Sequence, residues 1–120
     1  MKDRFKFRAW DSIAKEYIFD SYALYELFVN DFVNDIDNSY QVEQCTGLKD
    51  KNGKLIYEGD ILKSAYTEKT YIVGREKHYA CWSYRYKNVG TTLSEGDIVN
   101  YGLEVIGNIH ENPELLEEDK

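Results

Sequence analysis

The sequence predicts a mainly β fold, with a small β-barrel preceded by an N-terminal β-hairpin and one short helix. Aromatic residues make up 15% of the 120 residues and 11 of them are tyrosines, which pack well on a pleated sheet. Short apolar runs alternate with turn residues, as in small barrels and sandwiches. The pair Asn52-Gly53 separates Leu48 from the apolar run 55–57, which is a strong hairpin signal. A chain of this length is expected to form one domain, residues 1–120.

Residues 1–39 predict the N-terminal hairpin and the helix. In the first strand, apolar residues share one face, and Lys6, Arg8 and Trp10 share the other, which is the period-two pattern of a strand. A polar segment then turns the chain, and a capped segment with apolar residues at helical spacing follows. The predicted elements are strands over residues 5–10 and 16–19, a turn over residues 11–14, and a helix over residues 22–29 capped by Ser21.

Residues 40–113 predict the barrel, and residues 114–120 form an acidic tail that frays. The barrel segments are short, rich in β-branched and aromatic residues, and separated by Gly and Asn. Besides the central hairpin, the predicted strands cover residues 40–45, 61–66, 70–73, 79–86 and 103–109, with connections at Gly74, at residues 88–90 and at residues 100–102.

Four residues around the central hairpin have structural roles in this interpretation. Asn52 and Gly53 tolerate the positive φ that a type I′ turn needs at both central positions. Gly59 is expected to take a positive φ where the hairpin ends, and Asp60 to hydrogen-bond the backbone of that turn. Glu58 and Asp60 could also act as a pair of acid–base carboxylates, but the turn is the favoured explanation.

The charge distribution bears on partners and compartment. The net charge is −7, and it divides into −4 over residues 1–48, +4 over residues 49–90 and −7 over residues 91–120. An acidic chain is a poor binder of nucleic acid, because neutralised phosphates supply most of that affinity. The sequence has no apolar run of about 18 residues and no signal-peptide pattern, so we expect a cytoplasmic protein that does not enter a membrane. In that compartment Cys45 and Cys81 are expected to be free thiols.

No motif marks a catalytic centre or a metal site. Glu58, Asp60 and His110 supply the groups that a hydrolase uses, but neither a nucleophile nor a perturbed pKa is evident from the sequence. His78 and Cys81 point to opposite faces of their predicted strand and do not converge on a metal. We therefore expect no catalytic residue, no metal and no cofactor, and a hydrolase-type enzyme ranks third among the candidate functions.

The aromatic stripe, Trp82, Tyr84 and Tyr86, is the best candidate for an interaction surface. The three rings share one face of a strand, and Arg85 lies between them. This spacing fits rings packed in a barrel core, and it also fits a platform on which the bases of a single strand stack. Core burial is favoured, because few other Phe and Trp residues are available to fill the barrel. A nucleic-acid-binding small barrel is the alternative function.

Three blocks of sequence, in order, give the chain a family resemblance. They are KFRAWD at residues 6–11, TGLKDKNGKLIYEGDI at residues 46–61 and LEVIGNIHENPEL at residues 103–115. Together they resemble the YopX-like family of phage and prophage proteins. The resemblance implies a phage or prophage origin and a mainly β fold with a small barrel. It brings no settled activity and no catalytic residues. Cys45 and His110 stand where members of the family commonly have Tyr, which suggests positions selected for shape.

The expected function follows from the resemblance and from sheet edges. We expect a non-enzymatic accessory protein of a phage or prophage that acts as an interaction or self-assembling module. One short helix is too little to cover every sheet edge, so a second copy of the chain is expected to cover one of them. A homo-oligomer is therefore the first expected partner, and another phage or host protein is the second.

Overall fold

The computed structural model describes residues 6–19, 40–67, 69–75, 81–87 and 89–117. Within these ranges the chain is mainly β, as predicted, and the strands form a half-barrel sheet plus a second sheet. The helix predicted over residues 22–29 lies outside the described residues. None of the described helices is long and apolar enough to cross a membrane. The elements are β1 Phe7–Asp11, β2 Glu16–Ile18, β3 Tyr40–Lys49, β4 Leu55–Tyr57, β5 Asp60–Lys63, β6 Thr70–Arg75, β7 Trp82–Tyr86, β8 Val89–Thr92, α1 Glu95–Tyr101, β9 Glu104–Asn108 and α2 Glu114–Glu117.

The N-terminal hairpin belongs to a four-stranded antiparallel sheet in the order β2-β1-β3-β4. The turn between β1 and β2 is held by Asp11, whose Oδ1 accepts hydrogen bonds from the N–H groups of Ile13 and Ala14, both at 3.0 Å. β1 pairs with β3 along its whole length, from Phe7 opposite Gln44 to Asp11 opposite Tyr40. The first strand of the N-terminal hairpin therefore belongs to the same sheet as β3.

The second sheet has five antiparallel strands in the order β8-β7-β6-β5-β9. The segment 88–90, predicted as a connection, includes the start of β8. Two residues separate Tyr86 from Val89, its partner across the hairpin, and the first of them, Lys87, has φ of +54°. A positive φ is typical of a tight hairpin loop, and β8 accordingly begins at Val89.

The loop between β3 and β4 differs from the prediction. Gly53 has φ of +84°, but φ at Asn52 is not positive, so the predicted type I′ turn is wrong. The loop has three residues, 51–53: the N–H of Gly53 donates to the carbonyl of Asp50 at 3.0 Å, and the N–H of Asp50 donates to the carbonyl of Lys54 at 2.8 Å. The Asp50 carboxylate accepts the N–H groups of Asn52 and Lys54, both at 2.9 Å. An Asn-Gly pair also fits this longer loop, whose last residue is left-handed.

Helix α1 was not predicted, because only Ile98 among its residues is buried and the segment lacks an apolar period. Its local signals are clear in retrospect. The Ser94 Oγ accepts the N–H of Asp97 at 3.2 Å, which caps the first turn. Gly102 ends the helix in the left-handed region with φ of +58°. A Cβ at Gly102 would lie only 2.8 Å from the Cβ of Ala65, so the end of the helix packs closely on Ala65.

The core joins the two sheets and α1. Ile56 of β4 packs in the same buried cluster as residues from three strands of the five-stranded sheet, and Ile98 closes it from α1. Burial of each such side chain contributes about 1.5–3 kcal/mol. The buried members are Ile56, Leu62, Val73, Tyr84, Leu93, Ile98 and Leu103, with Leu48, Tyr71, Trp82 and Val105 packed against them.

Replacing Gly53 with Val should lower the free energy of unfolding by about 1–3 kcal/mol, because a β-branched residue is strained at positive φ. No atom lies within 4 Å of a Cβ built at Gly53, so strain is the only cost and no clash adds to it. Urea titration measures the difference. Gly53→Asn is the control, since Asn tolerates this conformation and should lose much less. Equal stability of the Val variant and the native chain would contradict the loop geometry.

Candidate functional site

A buried ionic cluster lies where the two sheets meet. Arg8 of β1 donates from Nε to Glu43 Oε1 and from Nη2 to Asp60 Oδ1, both at 2.8 Å. Nη2 also donates to the carbonyl of Glu58 at 3.2 Å. The side chains of Arg8, Glu43 and Asp60 are only 7%, 7% and 3% exposed. One cation therefore ties β1 to β3 and to the start of β5.

Aromatic rings enclose this cluster. The Arg8 guanidinium lies 4.2 Å from the ring centre of Tyr17 and 4.6 Å from that of Tyr57. The Tyr17 hydroxyl donates to Glu43 Oε1 at 3.0 Å. Two rings thus lie against the guanidinium, a contact that the planar Arg side chain favours.

His110 completes the surroundings of Glu43. Its Nε2 lies 2.9 Å from Glu43 Oε2, and its ring stacks on Trp10 with centres 5.0 Å apart and planes 9° apart. The family resemblance suggested that the residue at position 110 is selected for its shape. The ring does fill a flat space on Trp10, and it also satisfies the second oxygen of a buried carboxylate.

Local sequence places each member of the cluster. Arg8 and Glu43 are direct partners in the pairing of β1 with β3, so the register sets them opposite each other. Gly59 has φ of +87°, and a Cβ there would lie 2.7 Å from Glu43 Oε2. Asp60 follows and accepts the N–H of Tyr57 at 2.8 Å through Oδ2. Gly59 and Asp60 thus shape the turn as expected from their residue types, but the ion pair of Asp60 was not predicted.

The face of β1 that carries Arg8 was predicted to be the polar one. Arg8, Ala9 and Trp10 are all buried, so both faces of this strand are covered. Period-two alternation identifies strands that have one buried and one solvent-exposed face. β1 is buried on both faces, which is why the burial of Arg8 was not predicted. The available signal was chemical: Arg8 lies within a predicted strand, and the carboxylates of Glu43 and Asp60 lie in or next to two other predicted strands.

Burial and ion pairing act on the charged groups in opposite directions. Burial disfavours the charge of Arg8, but the Asp60 and Glu43 carboxylates outweigh it and raise the pKa of Arg8 above its ordinary value. Burial raises the pKa of Asp60, and Arg8 and the Tyr57 N–H act against that rise. The two partners differ because the two carboxylates outweigh the burial of Arg8, whereas the burial of Asp60 outweighs its attraction to Arg8 and Lys54. Burial also raises the pKa of Tyr17, so its hydroxyl stays a hydrogen-bond donor at neutral pH.

A cleft of about 780 Å³ opens above the cluster. Strands β2 and β4 of the first sheet line one side, and β9 of the second sheet lines the other. Of the three residues considered for a hydrolase, only Asp60 lines this cleft; Glu58 does not, and His110 is turned to Trp10 and Glu43. Within the described ranges, no three His, Cys, Asp or Glu side chains are grouped to hold a metal ion, and His78 lies outside those ranges.

The aromatic stripe lies mainly in the core. Tyr84 is 4% exposed, packs in the core cluster, and donates its hydroxyl to Asp97 Oδ2 at 2.8 Å. Trp82 packs against the same core beneath the Arg75 guanidinium, 5.0 Å from its ring centre. Tyr86 is half-buried, and Arg85 is exposed on the opposite face. The central ring is therefore not available to stack on a base.

Strand β8 lies next to the stripe at the edge of the five-stranded sheet. Its residues, Val89, Gly90, Thr91 and Thr92, are all exposed and uncharged, and Val89 is 73% exposed. β8 pairs with β7 on one side, and none of the strands in the described part of the chain pairs with its other side. This edge was not recognised from the sequence, because the segment was assigned to a connection.

Replacing Arg8 with Met should lower the free energy of unfolding by about 3–5 kcal/mol, because it leaves Glu43 and Asp60 buried without their cation. Chemical denaturation measures the loss. Arg85→Met is the matched control: Arg85 is exposed, and we expect a change within about 0.5 kcal/mol. Similar losses in the two variants would show that the cluster is not coupled to folding.

Stability should also fall above about pH 10, where tyrosines of the unfolded chain ionise. The pKa of Tyr17 is raised in the folded chain, so its contribution is complete below the unfolded pKa and is lost as the pH rises through it. Urea midpoints measured from pH 9 to 11 should fall less steeply for Tyr17→Phe than for the native chain. Tyr66→Phe, at an exposed tyrosine, should keep the native slope. Identical slopes for all three proteins would contradict the burial of the Tyr17 hydroxyl.

Comparison with known proteins agrees with this architecture. A search of the curated proteins finds no match. The crystal structure of protein EF1440 from Enterococcus faecalis is similar, with a TM-score of 0.65 and 29% sequence identity, and the alignment covers 92% of this chain and 96% of that one. The profile of the family described as YopX protein matches residues 6–117. The match spans nearly the whole chain, both sheets and the ionic cluster included, and the chain belongs to the YopX family.

Proposed function

We propose that this chain is a non-catalytic accessory protein of a bacteriophage or prophage, and that it acts in the bacterial cytoplasm by binding proteins, first of all a second copy of itself. The observation that carries the proposal is the outer edge of β8, which is not paired with any strand of the described residues. An outer strand presents unpaired N–H and C=O groups, and natural sheets blunt such edges with charge, proline, bulges or very short strands. β8 has four exposed residues and no charge or proline among them.

The other outer strands are better protected. β2 has three residues and begins at the exposed Glu16. β4 also has three residues, two of them buried. β9 has an irregular register near Ile61, and the N–H of its residue Val105 already donates to Asp50 Oδ2 at 2.9 Å. β8 is thus the edge that a second chain would extend most easily.

A twofold axis beside β8 would pair it antiparallel with β8 of a second copy. The two five-stranded sheets would then form one sheet of ten strands, and the contact would be closed and symmetric. Stable interfaces bury more than about 1,000 Å², and two four-residue strands bury less than that on their own. We therefore expect self-association that depends strongly on concentration.

The positions of two groups of side chains favour a role in protein association over nucleic-acid binding or catalysis. Tyr84, the centre of the aromatic stripe, lies in the core, so the stripe gives little support to nucleic-acid binding. Arg8, Glu43, Asp60 and His110 bond to one another, which is how groups that maintain a fold behave. The phage origin, and with it a bacterial host cell, rests on the family resemblance.

Size exclusion with light scattering tests the proposal. The native chain should rise from 14.1 kDa toward twice that mass with increasing concentration. Val89→Lys should keep the mass of one chain, because a charged side chain on the outer strand opposes pairing with a strand of a second copy. Circular dichroism and a thermal melt establish that the variant is folded.

Val99→Lys is the matched control, because Val99 is equally exposed, at 75%, but lies on α1 away from β8. It should associate like the native chain. A native mass that stays at 14.1 kDa up to high micromolar concentration would refute the proposal, and so would equal loss of association in the two variants.

A further inference from the structure

We propose that the cleft above the ionic cluster binds a cationic side chain, an arginine or a lysine, presented by a partner protein. The cleft lies away from β8, so the proposal goes beyond self-association and does not depend on it. Its floor holds Arg8 and Asp60, and its walls carry the rings of Tyr17, Phe19 and Tyr57. A concave site with apolar walls and a few buried polar groups is the usual form of a binding site.

The occupant is not an added β-strand. Strand addition needs free backbone donors along an edge. Here side chains already accept these donors: Val105 N–H bonds to Asp50 Oδ2 at 2.9 Å, and Tyr57 N–H bonds to Asp60 Oδ2 at 2.8 Å. Asn108 N–H bonds to Asn112 Oδ1 at 3.2 Å. The cleft would therefore recognise a side chain rather than a backbone.

The charges that line the cleft favour a cation. Among the described residues, the lining has two cationic side chains, Arg8 and Lys54, and three carboxylates, Glu16, Asp60 and Glu111. Arg8 is held between Asp60 and the adjacent Glu43, so its own charge is more than balanced. Outside the ion pairs of Arg8, the described lining therefore has one cation, Lys54, against the two carboxylates of Glu16 and Glu111. Such a field repels an anion and attracts a cation.

The rings at the mouth fit the body of such a side chain. Phe19 is 59% exposed, and its ring centre lies 5.9 Å from that of Tyr17 and 6.3 Å from that of Tyr57. A guanidinium or ammonium over an aromatic face is attracted to it, and its methylene stem packs on apolar side chains. Leu55, Val105 and Ile106 supply that apolar surface.

The ionic cluster already holds a cation, Arg8, by the same kinds of group. Arg8 is held by two rings and two carboxylates, with the guanidinium 4.2 and 4.6 Å from the ring centres. Phe19, Glu16 and Glu111 place one more ring and two more carboxylates around the cleft. A second cation can therefore be held by the same types of group one layer further out.

Titration followed by NMR of backbone amides tests the proposal. The probes are a capped Gly-Arg-Gly peptide and the same peptide with citrulline, which keeps the shape of arginine without its charge. The protein is the full-length Val89→Lys variant, so that self-association does not affect the result. The arginine peptide should give saturable shifts at residues 105–108, and the citrulline peptide should bind about tenfold more weakly.

Variants locate the site. Phe19→Leu removes a ring but keeps an apolar side chain, and Glu16→Gln removes one exposed carboxylate; each should weaken arginine binding about threefold or more. Glu95→Gln removes an exposed carboxylate on α1, outside the cleft, and should bind like the parent protein. Equal binding of the arginine and citrulline peptides, tighter binding of a Gly-Glu-Gly peptide, or shifts confined to residues outside the cleft would overturn the proposal. None of these outcomes bears on association through β8, which the mass measurement decides.

Discussion

The ion pairs of Arg8 are the constraint on which the arrangement of the two sheets depends. A buried ion pair adds little net stability, because desolvation offsets most of the attraction. Its effect here is on specificity. A slip of one residue between β1 and β3 would move Arg8 to the other face and leave Glu43 buried without a cation. Asp60 adds the second condition, since the chain must turn at Gly59 to bring its carboxylate to the same guanidinium.

The same cluster connects the fold to the surfaces available for binding. Arg8 joins β1, β3 and β5, and residues of the outer strands β4 and β9 line the cleft beside it. Side chains such as Asp50 and Asp60 then satisfy the strand donors that would otherwise face that opening. At the far end of the second sheet, no side chain of the described residues is seen to protect the edge of β8 in this way. We therefore propose two kinds of contact, strand pairing at β8 and side-chain binding in the cleft.

The sequence predicted the elements better than their partners. The N-terminal hairpin and the strands around residues 61, 72, 84 and 106 follow from local alternation and turn residues, and the described structure contains them. Local pattern does not show which distant strands pair, so the β1–β3 pairing and its buried Arg8 were missed. It also misjudged Asn52, since Asp50 draws the loop into a longer turn. Tyr84 was open to two interpretations because a strand face has the same spacing whether it meets a core or a ligand.

The chain has two tryptophans, and each sheet contains one. Trp10 lies in the four-stranded sheet, stacked on His110 beside the ionic cluster, and Trp82 lies in the five-stranded sheet beneath Arg75. Intrinsic fluorescence therefore reports the two sheets through separate residues, without an added label. Variants that keep a single tryptophan would let each sheet be followed alone, and coincidence of the two transitions is the criterion for a single cooperative unit.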